Sequence, residues 1–138
     1  MDRPLKMIFC EDDDSHNLKS LQSEKLFKRL SILDLFALSL AYGKKQDLKT
    51  PLEGKRDVLI HDRTLRDSNV DYLMMAIGAE ETGSLDVLTS NEYIEICEEY
   101  AKTGLHSLED DYYEDPKKFL VKLELEALKY YDKHIEEK

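Results

Sequence analysis

Tryptophan is absent from the 138 residues, and cysteine (two), proline (three) and glycine (five) are scarce. The two cysteines, Cys10 and Cys97, lie far apart and outside any CxxC spacing. That leaves neither a disulfide framework nor a zinc ligand set to expect, and a reducing cytoplasm becomes the expected compartment. So little glycine and proline argues against a disordered or sandwich-like chain and for a compact helical one. No apolar run approaches the roughly 18 residues of a membrane span. The opening MDRPLKMIFCEDDD is too weakly basic and too briefly apolar for a signal peptide.

Local signatures of chemistry are missing as well. No GxGxxG, Walker A, GxSxG or HExxH occurs, and His16, His61, His106 and His134 sit in separate segments without helical pairing. No catalytic residue, metal or cofactor is therefore expected, and the chain reads as non-enzymatic. His61, Asp62, Arg63 and Arg66 form the one cluster that could supply a general base and hold phosphate, but a single such group is common in surface loops. Glu11 to Asp14 lack the alternate spacing and glycine of a calcium loop and read as a solvated linker.

Helical spacing is what the chain has in abundance. Apolar residues recur at three and four positions over 17–30, then over ILDLFALSLAYG after an N-cap at Ser31, with Gly43 as the stop. Val70 to Ala79 is apolar apart from Asp71, so a central helix capped by Ser68 or Asn69, ending near Gly83 and covered by its neighbours, is expected. Leu85, Val87 and Leu88 should pin the following connection to the core. Thr89 and Glu92 have capping-box spacing before a helix whose face is Tyr93, Ile94, Cys97, Tyr100, Ala101, Leu105 and Leu108. Gly104 within that face calls for a break or for a helix passing closely.

After an acidic turn over 109–115, Asp115 and Pro116 open a last helix to about Glu136, with Leu120, Leu123, Ala127, Leu128, Tyr131 and Ile135 on one side. The segment 44–67 looks irregular. Residues 5–10 and 57–61 are β-prone and would either pair as a two-stranded ribbon or serve as extended links. The fold class is accordingly mainly α: one domain over 1–138, a bundle of about five helices with residues 1–16 flexible or extended, and the ribbon as an optional addition.

The net charge of −10 is unevenly laid out. From Glu80 to Asp115 twelve acidic residues face one base, Lys102; from Asn17 to Arg66 eleven Lys and Arg outnumber six Asp and Glu. An acidic end and a mildly basic one follow, with the central helix as the border. Candidate contacts for a partner or DNA are Lys28, Arg29, Lys44, Lys45, Lys55, Arg56, Arg63 and Arg66. The candidate acidic surface is Glu92, Glu95, Glu98, Glu99, Glu109, Asp110 and Asp111. Binding is expected on these charged surfaces rather than on the central helix.

Three segments in order, DLFALSLAYG (Asp34 to Gly43) with the loop holding Pro51 and Leu52 after it, AIGAEETGSLDVL (Ala76 to Leu88) and IEICEEYAKTGLHSLED (Ile94 to Asp110), resemble small proteins encoded beside Dnd-type DNA phosphorothioation and related phage-defence genes. The likeness runs from about Phe27 to Asp110. It implies an accessory subunit working with larger ATPase, nuclease or DNA-modifying partners. The leading expectation is thus a cytoplasmic, non-enzymatic helical subunit of an antiviral DNA-modification complex that binds a larger protein and no membrane. Two alternatives stand beside it: a DNA-binding module using the basic residues between 19 and 66, and an acidic mimic of DNA.

Overall fold

The computed structural model describes residues 6–136, with the side chains of 126, 127 and 130–136 excepted. It is mainly α, with seven helices and a small antiparallel ribbon among the described residues. Two compact units divide the chain, Met1–Ser107 and Leu108–Lys138.

In the first unit, strand β1 (Ile8–Glu11) pairs with β2 (Arg56–Ile60), Ile8 lying opposite Ile60 and Glu11 opposite Arg56. Both isoleucines are buried, so the ribbon closes over the helical core with its apolar end. Of the strand expected at 5–10, Leu5 lies outside the described residues. The acidic run after β1 is no linker: Asp12, Asp13 and Asp14 form the first turn of α1 (Asp12–Ser23), where carboxylates favour the positive end of the helix. The helix expected at 17–30 therefore starts earlier and stops at Ser23. Residues 24–30 continue as turns that bury Phe27.

Helix α2 (Ile32–Gln46) begins as expected, with the Ser31 hydroxyl and the Asp34 carboxylate forming a reciprocal capping box. Its end differs. Gly43 stays helical and buried, and Asp47 takes the left-handed cap at φ 55°. Gly43 is needed for closeness instead, since a Cβ there would overlap the Tyr100 carbonyl oxygen. The segment expected to be irregular contains β2 and a short helix α3 (Asp62–Arg66) as well as loop.

Helix α4 (Val70–Thr82) stops at Gly83 in a left-handed conformation, as the sequence indicates. No side chain caps its start: Asn69 makes no cap bond, and the Ser68 hydroxyl closes α3 on Leu65. The connection that follows is helical too, as α5 (Asp86–Ser90). Val87 is buried but Leu85 is exposed. Thr89 lies inside α5 and donates to Asp86 O, so it cannot cap α6 (Glu92–Glu114); the break between the two falls at Asn91, φ 63°.

All seven residues of the expected α6 face are buried. Gly104 is where α2 passes backbone to backbone. Phe36, Leu40, Leu65, Met74, Tyr93, Ile94, Cys97 and Tyr100 make up the centre of the core.

The second unit holds the end of α6 and α7 (Pro116–Glu136). Residues 109–114 are helical rather than a turn, because Asp115 supplies the stop and the next cap together, accepting from the amides of Lys117 and Lys118. Tyr112 and Phe119 meet edge to face at 5.7 Å and are buried. The expected apolar side of α7 is corrected here: Leu120 and Leu128 are exposed, while Phe119 does the burying. Ala127, Tyr131, His134 and Ile135 have side chains outside the described ones.

Candidate protein-interaction surface

Some residues of the basic and acidic stretches pair with each other across the fold. Lys49 meets Glu81 at 2.8 Å, and Lys44 lies 3.8 Å from Glu80 and 3.9 Å from Glu81. Tyr100 donates to Glu81 at 2.6 Å, and its ring lies under both lysines. The Lys49 ammonium and the Tyr100 hydroxyl hold the Glu81 carboxyl below its ordinary range, while burial, reinforced by Glu81, pushes the Tyr100 phenol up. Lys102, the one base of the acidic stretch, is bound to Glu11. His106 contacts the buried Asp14 at 3.0 Å.

The candidate residues are dispersed accordingly. Lys28 and Arg29 are exposed on the turns after α1, and Lys45 on the last turn of α2. Lys55 and Arg56 lie at the start of β2, where Arg56 donates to Leu52 O. Arg63 is exposed on α3, whereas Arg66 is tied to Asp62 at 2.7 Å, which keeps that carboxyl low. Asp62 is therefore an ion-pair partner that also accepts from Lys6 N, and His61 is exposed beside it.

On the acidic side Glu92 and Asp110 are exposed, Glu95, Glu99 and Glu109 half-buried, and Asp111 is paired with Lys122. Glu98 does not belong to a surface at all. It is 4% exposed and accepts from the Phe9 amide, so it anchors the ribbon to α6. Among the described residues no group of three His, Cys, Asp or Glu could hold a metal ion, and no helix is long and apolar enough to cross a membrane.

Helix α4 also carries exposed apolar residues that sequence reasoning placed inside. Asp71, Met74, Ile77 and Gly78 share its inner face. Gly78 permits the contact, because a side chain there would run into Tyr93. Asp71, the single charge of the apolar run, is 6% exposed and fully engaged: Lys6 Nζ at 3.0 Å, and the Tyr93 hydroxyl donating at 2.7 Å. Burial and then this hydrogen bond push the Tyr93 phenol up.

With Asp71 turned inward, its apolar neighbours turn outward. Tyr72 is 71% and Leu73 45% exposed, Ala76 is exposed on the next turn, and Leu85 just beyond the helix is 71% exposed. Tyr72, Leu73 and Ala76 form an exposed apolar cluster at the start of α4, with exposed Glu80 between it and Leu85, and a cluster of this kind is a candidate for contact with another molecule. Tyrosine is also among the residues that dominate binding energy at interfaces. The signal available in the sequence was the all-round apolarity of 70–79, which fits a buried helix and a helix shared with a partner equally well.

A family model described as DNA sulphur modification system-associated protein 4 matches residues 10–138. No curated protein and no solved structure matches.

Proposed function

The chain belongs to the family of DNA sulphur modification system-associated protein 4, and from that premise we propose that it is a non-enzymatic accessory subunit that docks onto a larger protein of that system through the outward face of α4. It acts in the cytoplasm, in a system that defends DNA against phage, and any influence on DNA passes through the partner. The observation that carries this reading is the inversion on α4, where Asp71, the one charge of the run from Val70 to Ala79, is spent inside and Tyr72 and Leu73 are presented outside. A helix with such a face fits beside an apolar groove or a second helix, which is a common mode of protein recognition.

Co-expression of the tagged chain with the sulphur-modification proteins encoded beside it tests the reading. The wild-type chain should co-elute with one of them in stoichiometric amount. Tyr72→Ser with Leu73→Ser should abolish the association while leaving circular dichroism and thermal unfolding nearly unchanged. Elution of the wild-type chain alone, or full retention of the partner by the double variant, would overturn it.

A further inference from the structure

We infer that the segment received by α4 is an amphipathic helix whose apolar anchors are flanked by Lys or Arg, an inference that rests on the docking role just proposed. From Asp67 through Ala101 the chain contains no Lys, Arg or His. The elements that build the face, α4 and α5, therefore contribute only negative charge. Asp67 is exposed immediately before α4, Glu80 two turns along the same outward stripe as Ala76 and Leu73, and Asp86 next to Leu85.

Nearby bases are already engaged: Arg66 by Asp62 at 2.7 Å, Lys49 by Glu81 at 2.8 Å, and Lys44 at 3.8 Å from Glu80 and 3.9 Å from Glu81, which leaves the Glu80 side chain 74% exposed. An apolar row with a carboxylate rim is complementary to an apolar row with a basic rim. Such a rim sets orientation and association rate more than it adds affinity.

The shape specifies a helix as well. Ala76 falls between Tyr72 and Leu73 around the α4 axis and one turn further along, so the three leave a notch flanked by two large side chains. A knob from a facing helix enters a notch of that kind, its neighbours at three and four positions meeting Tyr72 and Leu73.

The test is the affinity of the co-eluting sulphur-modification protein for the purified chain, measured by titration at 50 and 500 mM NaCl. Glu80→Lys with Asp86→Lys should weaken binding about tenfold at the lower salt, and the deficit should shrink to less than about threefold at the higher, where the Debye length is only a few ångströms. Glu24→Lys with Glu53→Lys adds the same charge on other segments and should change binding less than about threefold. Unchanged or tighter binding by the Glu80 and Asp86 double variant overturns the basic-helix inference alone, provided that Tyr72→Ser with Leu73→Ser still abolishes binding. If that apolar variant binds too, or no partner co-elutes, both readings fall.

Discussion

Replacing Gly104 by Ala tests the crossing on which the first unit is built. In an isolated helix the change would stabilise by about 1 kcal/mol, because glycine loses more backbone freedom than alanine. Here the new Cβ would overlap the Ser39 carbonyl oxygen and stand 2.6 Å from Gly43 N and 2.7 Å from Ser39 C. Ordinary contact begins at 3.4 Å and the Ser39 carbonyl oxygen is the nearest atom, so α2 and α6 must part by considerably more than about 1 Å. None of these neighbours is a side chain that can rotate away. A gap of about 1 Å already forfeits up to half of each dispersion contact lining it, and Phe36, Leu40, Tyr100 and Ala101 sit in the same core cluster.

Overpacking of this severity costs on the order of 3 kcal/mol, so the net loss after the propensity gain should be about 2 kcal/mol. Urea unfolding followed by circular dichroism measures it, with an expected fall in melting temperature of several degrees. Gly83→Ala is the comparison. It has nothing within 4 Å but a φ of 69°, and should lose about 1 kcal/mol from the left-handed backbone alone. Gly43→Ala combined with Gly104→Ala should cost less than the sum of the two, because the first substitution has already separated the helices. A neutral or stabilising Gly104→Ala would refute the close approach.

Asp71→Ala should cost about 3 kcal/mol in urea unfolding, since it strands the Lys6 ammonium and the Tyr93 hydroxyl, whereas Tyr72→Ser next to it should cost under about 0.5 kcal/mol. Glu81 has a folded pKa below its ordinary value of 4.5, so its contribution to stability is complete above that pH and is lost as pH falls through the folded value. Acid unfolding of Glu81→Gln should accordingly show a smaller loss of stability below pH 4.5 than the wild type. Burial pushes the Cys10 and Cys97 thiols up to about 12, so at pH 8 a disulfide reagent should react slowly with the native chain and rapidly with two thiols in denaturant.

Where a partner lay within a few residues, the sequence was informative. The Ser31 and Asp34 box, the stop at Gly83, the cap at Asp115 and the buried face of α6 are all local patterns, and each is present. What decides the rest is contact across the chain. Lys6 and Asp71 are 65 residues apart, Glu11 and Lys102 91, and Asp14 and His106 92. No spacing rule reaches that far, and acidic residues read as solvated are for that reason found capping, pairing or buried. On the same ground a one-dimensional charge count cannot see that lysines of α2 and its following loop lie against Glu80 and Glu81 on α4.

The central helix is the sharpest case. A helical pattern reports orientation through contrast between faces, and Val70 to Ala79 offers almost none, so any rotation about its axis satisfies the hydrophobic count nearly as well. Two residues break the degeneracy. Gly78 is the position at which α4 can lie against Tyr93 without collision, and Asp71 is satisfied only where Lys6 and the Tyr93 hydroxyl converge. Both requirements select the same rotation, and that rotation obliges Tyr72 and Leu73 to face outward. The exposed row is therefore a consequence of satisfying a buried carboxylate and a glycine contact. Polar residues at those two positions would satisfy the same constraints, so the fold by itself does not require Tyr and Leu there.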